Sequence, residues 1–242
     1  MRLRGQTAVI TGANRGIGRA TVERFLAEGA QVLAVDLDVQ DIEALPVQRL
    51  AIDLASHEAP ARVVAEARRM GPVHCLINNA GIGAARSLAE SDDELIDRVL
   101  GTNLRAVLRL TRDMLPLLGP DASIVNVSSV FGETGYPTST AYAVSKAGIS
   151  QMTRQLVADL SSQGVRVNAV APGVIRTPMT SARLDGDEGY RKAMIGGTPL
   201  ARVGTPEQVA AVIAFLCTED AAYVNGQVIA VDGGWLASRT RN

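Results

Sequence analysis

The chain has 242 residues, 47% of them hydrophobic, which suits one large α/β domain with a sizeable core. A formal net charge of -1 with no basic block argues against nucleic acid or an anionic membrane as a partner. Two cysteines, and two histidines without ligand-like spacing, speak against a disulfide framework and against a metal site.

The first apolar run, 7–11, reads as a strand, and no signal-peptide region precedes it. No apolar run approaches the length of a membrane span, so a soluble, cytoplasmic protein is expected. The strand feeds Thr11-Gly12-Ala13-Asn14-Arg15-Gly16-Ile17-Gly18, then a helical pattern over 18–28 with Val22, Phe25 and Leu26 on one face. Gly12 can turn the chain out of the strand, Gly16 lets the backbone approach a pyrophosphate, and Gly18 permits close helix–strand packing. The helix N-terminus that follows favours an anion.

The second strand, 31–36, ends on Asp36, 18 residues beyond Gly18. A carboxylate there can accept hydrogen bonds from adenosine ribose hydroxyls and would repel a 2′-phosphate, which favours NAD. Arg15 pulls toward NADP, since a guanidinium beside the ribose can hold that phosphate. Asp36 occupies the diagnostic position, and NAD is the expected cofactor.

Further strands are expected at 47–52, 73–78, 123–128, 165–171 and 227–231, with helices at 58–70, 92–118, 141–161 and 206–218. Strand–helix alternation with near-continuous apolar strands indicates a parallel sheet covered on both faces. The segment 177–205 is polar, contains glycine and carries Met179 and Met194. It reads as a long irregular insertion of the kind that serves as a lid. The tail 238–242 is polar and expected to be frayed. Nothing else divides the chain, so one domain over 1–242 is expected.

Tyr142-Ala143-Val144-Ser145-Lys146 opens the helix at 141–161. Residues four apart share a helix face, so phenol and ammonium should lie together, with the ammonium lowering the phenol pKa. Such a phenol can trade a proton with a substrate hydroxyl or carbonyl. The spacing is short and arises by chance in many helices. Yet of 24 basic residues only Lys146 and Lys192 are lysine. A compact ammonium kept in an arginine-rich chain is suggestive, because guanidinium is not its equivalent beside a titrating phenol.

Taken with Asp53-Leu54, Asn78-Asn79-Ala80-Gly81, Asn103, Ser129, Pro172-Gly173 and Asp232-Gly233-Gly234, these residues resemble the short-chain dehydrogenases/reductases along essentially the whole chain. The resemblance implies a Rossmann-like, doubly wound, parallel seven-stranded sheet flanked by helices. It implies a catalytic set of Asn103, Ser129, Tyr142 and Lys146. Tyr142 would be the general acid/base, Lys146 would lower its pKa and bind the nicotinamide ribose, and Ser129 would hold the substrate oxygen. Ser129 lies 13 residues before Tyr142 as the pattern requires, whereas neighbouring Ser128 does not. Asn103 would bind a water linking Lys146 to solvent.

For the cofactor, the resemblance implies Gly12, Asn14, Arg15, Gly16, Ile17 and Gly18 at the phosphates, and Asp36 with Leu37 at the adenosine ribose. Asp53, with Leu54, would meet the adenine edge, and Asn79, Ala80 and Gly81 the ribose side. Pro172, Gly173, Val174, Ile175 and Thr177 would lie along the nicotinamide beside Tyr142 and Lys146. Asp53 has a plainer alternative as a cap of the next helix, and Asn103 as an interior polar residue. Asn78 is read as a structural hydrogen-bonder outside the site.

The substrate wall would comprise Val130, Phe131, Glu133, Tyr136, Val174, Met179, Tyr190 and Met194, with Glu133 a solvent-exposed loop carboxylate. This constrains the substrate only to a secondary alcohol or ketone: a sugar acid, a 3-oxoacyl thioester or a steroid-like ring all fit. The leading expectation is an NAD-dependent oxidoreductase. The alternatives are an NADPH-dependent 3-oxoacyl thioester reductase and a non-catalytic nicotinamide sensor or structural subunit. A homotetramer is expected by family analogy, with the apolar faces of 94–118 and 149–160 and Trp235 available for its interfaces.

Overall fold

The computed structural model describes residues 1–238; of the expected frayed tail, 239–242 lie outside the described residues. The strands are β1 (Thr7–Thr11), β2 (Gln31–Asp36), β3 (Gln48–Ala51), β4 (Val73–Asn78), β5 (Leu118–Val127), β6 (Arg166–Pro172) and β7 (Val228–Val231). They form one sheet in the order β3-β2-β1-β4-β5-β6-β7, with every pairing parallel. The doubly wound, Rossmann-like sheet expected from the sequence is therefore observed.

Side chains alternate between the two faces of the sheet, and each face has its own apolar layer. Ala8, Ile10, Val32 and Ala34 pack with Val22 and Phe25 of α1 (Gly16–Ala27). Val209 and Ile213 of α9 (Pro206–Leu216) complete that layer. On the opposite face Val9, Leu33, Val35 and Leu76 meet Val63 of α2 (Ala59–Met70), Leu110 of α4 (Ala106–Met114) and Leu160 of α6 (Thr140–Leu160). Cys75 is a buried core residue, its thiol donating to Gln6 Oε1 at 3.3 Å.

Two expectations need correcting. The single helix at 92–118 is broken: α3 (Asp93–Leu100) passes into a π-helical turn, Gly101–Arg105, before α4, and a tight turn at Leu115–Leu117 ends the run. Gly101 weakens the helix at the first break and Pro116 denies it a donor at the second. Strand β5 then begins at Leu118, earlier than expected. The insertion at 177–205 is also not irregular. It holds α7 (Pro178–Gly186) and α8 (Glu188–Gly196). Thr177 starts the first through a capping box with Thr180 and a proline at the first turn, and Asp187 caps the second by accepting from Tyr190 N at 2.8 Å.

Sequential strands run outward from β1 in one direction and from β4 in the other, which leaves a crevice outside the carboxyl ends of this central pair. Asn79 fastens its floor. Its Nδ2 donates to Thr11 O at 2.9 Å and Gly12 O at 3.0 Å, and its N–H donates to Thr11 Oγ1 at 3.0 Å.

Candidate active site

A cleft of about 730 Å³ opens over that crevice. Its walls include Gly12, Asn14, Arg15, Gly16, Ile17, Asp36, Leu37, Asp53, Leu54 and Asn79–Gly81. Ser129, Tyr142, Lys146, Pro172, Gly173, Ile175 and Thr177 also line it, so expected residues from seven stretches of chain are brought together. Gly18 lies beneath the turn: a Cβ there would fall 1.8 Å from Gly12 O, so only glycine lets α1 leave the strand so closely. A Cβ on Gly12 would fall 2.7 Å from Asn79 Nδ2, at a φ of +64. Helix α1 has no side-chain cap, which leaves its first amides facing the cleft for an anion. Val174 does not join the cleft walls. It packs with Leu184 and Met194 and borders a separate cavity of about 580 Å³.

At the β2 end, Asp36 accepts from Asn14 N at 2.8 Å and from Leu37 N at 2.7 Å. Arg15 faces a ring of carboxylates. Its Nε donates to Asp41 at 2.5 Å, its Nη2 lies 3.9 Å from Asp38, and these partners, with Asp36 behind them, hold the guanidinium above its ordinary pKa. Asp53 accepts from Ala55 N at 2.9 Å, organising its own turn rather than capping α2, whose N-cap is Glu58.

At the other end, Ser129 caps α5 (Val130–Glu133), its Oγ accepting from Phe131 N at 3.2 Å, and its hydroxyl stands near enough to the Tyr142 phenol to draw its pKa down. Ser128 is committed elsewhere: its Oγ meets Lys146 O at 2.9 Å and Ser150 Oγ at 2.8 Å. The two adjacent serines are thus separated by partner, with Ser129 the one on the phenol. Lys146 Nζ donates to Val127 O at 2.8 Å and lies 5.8 Å from the Tyr142 ring centroid. Asn103, in the π turn, is fully buried. It accepts from Ile82 N at 2.8 Å and donates to Ile82 O at 2.9 Å and Ser145 Oγ at 3.2 Å. A Cβ on Gly81 would lie 3.1 Å from Asn103 Oδ1 and 3.4 Å from Lys146 Nζ, so the three meet at one point.

The electrostatics depart from expectation. Burial pushes the Tyr142 phenol above its ordinary value; the Ser129 hydrogen bond pulls it down and Tyr190 nearby pushes it up again. Lys146 contributes no resolved lowering. Burial instead depresses Lys146 itself, to about 8. A desolvated ammonium loses its charge more readily, and its hydrogen bond goes to a backbone carbonyl rather than to the phenol.

The substrate wall holds two more corrections. Glu133 is an exposed residue, but it sits in α5 rather than a loop, and Ser150 and Arg154 engage its carboxylate. Trp235 is buried within the protomer, 3% exposed, with its ring centroid 6.0 Å from that of Phe131. Phe131 also stacks on Tyr136 at 4.5 Å and stands edge-on to Tyr142 at 6.4 Å. Sequence reasoning missed Ile52, Ile82, Asp97, Arg98 and Thr102 among the cleft walls. Ile52, Ile82 and Thr102 adjoin the named residues Asp53, Gly81 and Asn103 and were findable by adjacency; Asp97 and Arg98 sit on α3 and belong to no motif.

Comparison with known proteins points one way. The family profile described as enoyl-(acyl carrier protein) reductase matches residues 12–236. The chain is 41% identical to the 3-oxoacyl-[acyl-carrier-protein] reductase FabG of Thermotoga maritima, over 97% of this chain and 99% of that protein. It is 37% identical to the 2-(R)-hydroxypropyl-CoM dehydrogenase of Xanthobacter autotrophicus, over 96% and 99%. A solved short-chain dehydrogenase/reductase from Brucella melitensis, titled glucose/ribitol dehydrogenase, superposes with a TM-score of 0.91 at 37% identity, covering 97% of this chain and 98% of that one. With its parallel sheet, glycine-rich turn and Ser129–Tyr142–Lys146 cleft, the chain belongs to the short-chain dehydrogenase/reductase family of oxidoreductases, which bind a nicotinamide cofactor.

Proposed function

We propose that this protein is an NAD(H)-dependent oxidoreductase that interconverts a secondary alcohol and a ketone, with Tyr142 as general acid/base. The observation that carries the reading is one cleft with an acidic ribose end at Asp36 and a phenol, hydroxyl and ammonium at the other. The residues fit the cofactor. The close approach of Gly12 and Asn79 leaves no room for a side chain, and the uncapped start of α1 suits a pyrophosphate.

When bound, the nicotinamide ring supplies or accepts the hydride. In oxidation Tyr142 takes the proton from the substrate hydroxyl; in reduction it returns a proton to the carbonyl oxygen. Ser129 donates to the same oxygen as charge develops there, a role worth on the order of 3 kcal/mol in related settings. Lys146 holds the nicotinamide ribose, and Asn103 braces the Ile82 backbone next to Gly81. The segment 177–205 acts as the substrate lid, its base at Thr177 lying against Gly16.

The preference for NAD rests on the carboxylates around Arg15. A 2′-phosphate would meet Asp36, Asp38 and Asp41, while the Arg15 guanidinium is already paired. A second reading, NADPH-dependent reduction of a 3-oxoacyl thioester, is supported by the 41% identity to a reductase of that name. Offering secondary alcohols with NAD+ and NADP+ separately, with Tyr142→Phe as control, decides between them. Turnover with NAD+ that vanishes in the variant upholds the first reading; turnover with the phosphorylated cofactor alone transfers it to the second. Nicotinamide binding without turnover of any alcohol or ketone in wild type would favour a sensor.

We further infer a homotetramer. Leu108 on α4 and Val144 on α6 are 46% and 56% exposed, on helices with apolar faces to cover. A monomeric mass by light scattering would overturn it.

A further inference from the structure

The short helix carrying Ser129 and the long helix carrying Tyr142 and Lys146 must keep a fixed relation if hydroxyl, phenol and ammonium are to act on one oxygen. We propose that Glu133 is the positioning residue that sets this relation, tying the far end of α5 to α6 through Ser150 and Ser128. The inference rests on the roles given above to Ser129, Tyr142 and Lys146.

The connection is continuous. Ser150 Oγ donates to Glu133 Oε1 in a short hydrogen bond. Ser150 and Ser128 hydroxyls meet at 2.8 Å, and Ser128 reaches the Lys146 carbonyl at 2.9 Å. A carboxylate only accepts, and each hydroxyl has one proton to give. Ser150 therefore spends its proton on Glu133, which leaves the single proton of Ser128 shared between the Ser150 oxygen and the Lys146 carbonyl, so the tie from α5 to α6 runs through Glu133 and Ser150 with Ser128 bridging behind it. Arg154, 3.5 Å from Glu133 Oε2, closes the outer end. Glu133 is exposed as a residue, but its side chain is only 22% exposed, because the carboxylate turns in toward Ser150 and Arg154.

Packing makes the link stiff. A Cβ at Gly132 would fall 2.7 Å from the Lys146 carbonyl carbon and 2.9 Å from the Ala147 nitrogen, so the two backbones touch with no side chain between them. Ser129 and Glu133 are the N-cap and the last residue of the same four-residue helix. Releasing Glu133 lets α5 pivot about this contact, and the Ser129 hydroxyl moves relative to the Tyr142 phenol.

The test reads Tyr142 directly. With 13Cζ-labelled tyrosine the described chain has resonances from Tyr136, Tyr142, Tyr190 and Tyr223, and Tyr142→Phe assigns the relevant one. In Glu133→Ala the Tyr142 titration should move upward, because the Ser129 hydrogen bond that favours the phenolate is loosened. Glu133→Gln, which keeps an acceptor oxygen, should titrate close to wild type. Exposed Tyr223 should not change. In parallel, kcat should fall about tenfold in the alanine variant with the KM for cofactor little altered, as for a misplaced catalytic group. If Glu133→Ala fails to fold, Ser150→Ala cuts the same chain in the middle and leaves the Glu133–Arg154 pair. An unshifted Tyr142 titration in either folded alanine variant overturns the proposal, as does an equal shift in Glu133→Gln. Absence of turnover in wild type would instead sink the oxidoreductase reading, while the titration still decides the role of Glu133.

Discussion

The two ends of the cleft work by opposite means. At the β2 end Arg15, Asp38 and Asp41 are exposed, paired with one another and open to solvent screening. At the α6 end Lys146 and Ser129 are buried, each held by a short path to the backbone, and burial has moved both Tyr142 and Lys146 from their ordinary titration ranges. Under the proposed function, selecting a cofactor at the β2 end would need only a modest difference in free energy, of the kind exposed charges supply. Moving a proton needs groups whose charge the protein controls, and that requires keeping water out.

The contrast is tested most severely at Tyr142. Removing the hydroxyl in Tyr142→Phe should lower kcat by about a hundred- to ten-thousandfold, while NADH fluorescence titrations give a Kd near wild type. Equal losses in both would mean the phenol serves binding, and the division between the ends would collapse.

Lys146→Met should stabilise the fold while abolishing activity. With a folded pKa near 8 against 10.5 for the free side chain, Lys146 holds fewer protons folded than unfolded between those values. The folded state is thus penalised below about pH 8, and the penalty fades as pH rises toward 10.5. Melting curves should show a gain of up to about 3 kcal/mol for the variant at pH 7, offset in part by loss of the Val127 hydrogen bond. That gain should shrink toward nothing by pH 10.5. A pH-independent difference would show that packing, not charge, is responsible.

At the ribose end the effects should be smaller and salt-sensitive. Asp36→Asn is expected to weaken NAD+ binding by about tenfold and to narrow the preference over NADP+. Unchanged affinity would remove Asp36 from cofactor recognition. Smallest of all, Arg15→Ala should change NAD+ affinity by about threefold or less, because its guanidinium is exposed and already paired. A large loss would reassign Arg15 from the carboxylate ring to the cofactor itself.

The framework of both ends was legible in the sequence because it depends on local rules. Gly12, Gly16 and Gly18 announce a turn where backbone approaches backbone, Asp36 closes an apolar strand, and Tyr142 and Lys146 are one helical turn apart. What stayed hidden depends on contacts between distant residues. Nothing near Glu133 in sequence reveals that Ser150 will engage it, and nothing near Trp235 places it beside Phe131. The phenol's titration was misjudged for a related reason. Spacing brings an ammonium to the same face, but only the three-dimensional surroundings show that both groups are desolvated and that Lys146 bonds to Val127. The helices of 177–205 are a different case, since Thr177-Pro178 and Asp187 are start signals that the glycine and polar content of the segment obscured.

The pairing of β1 with β4 also governs how the protein comes into being. Ala8 lies beside Cys75 and Ile10 beside Ile77, a pairing of residues more than sixty positions apart. Chains dominated by such distant pairings fold slowly, since loop closure comes before the reward. The cleft lies over this junction, so its two sides come together only where β1 and β4 are paired. Cofactor present during refolding should therefore leave the early rates unchanged and act at the end, slowing the return to the unfolded state and raising the melting temperature in proportion to the logarithm of its concentration.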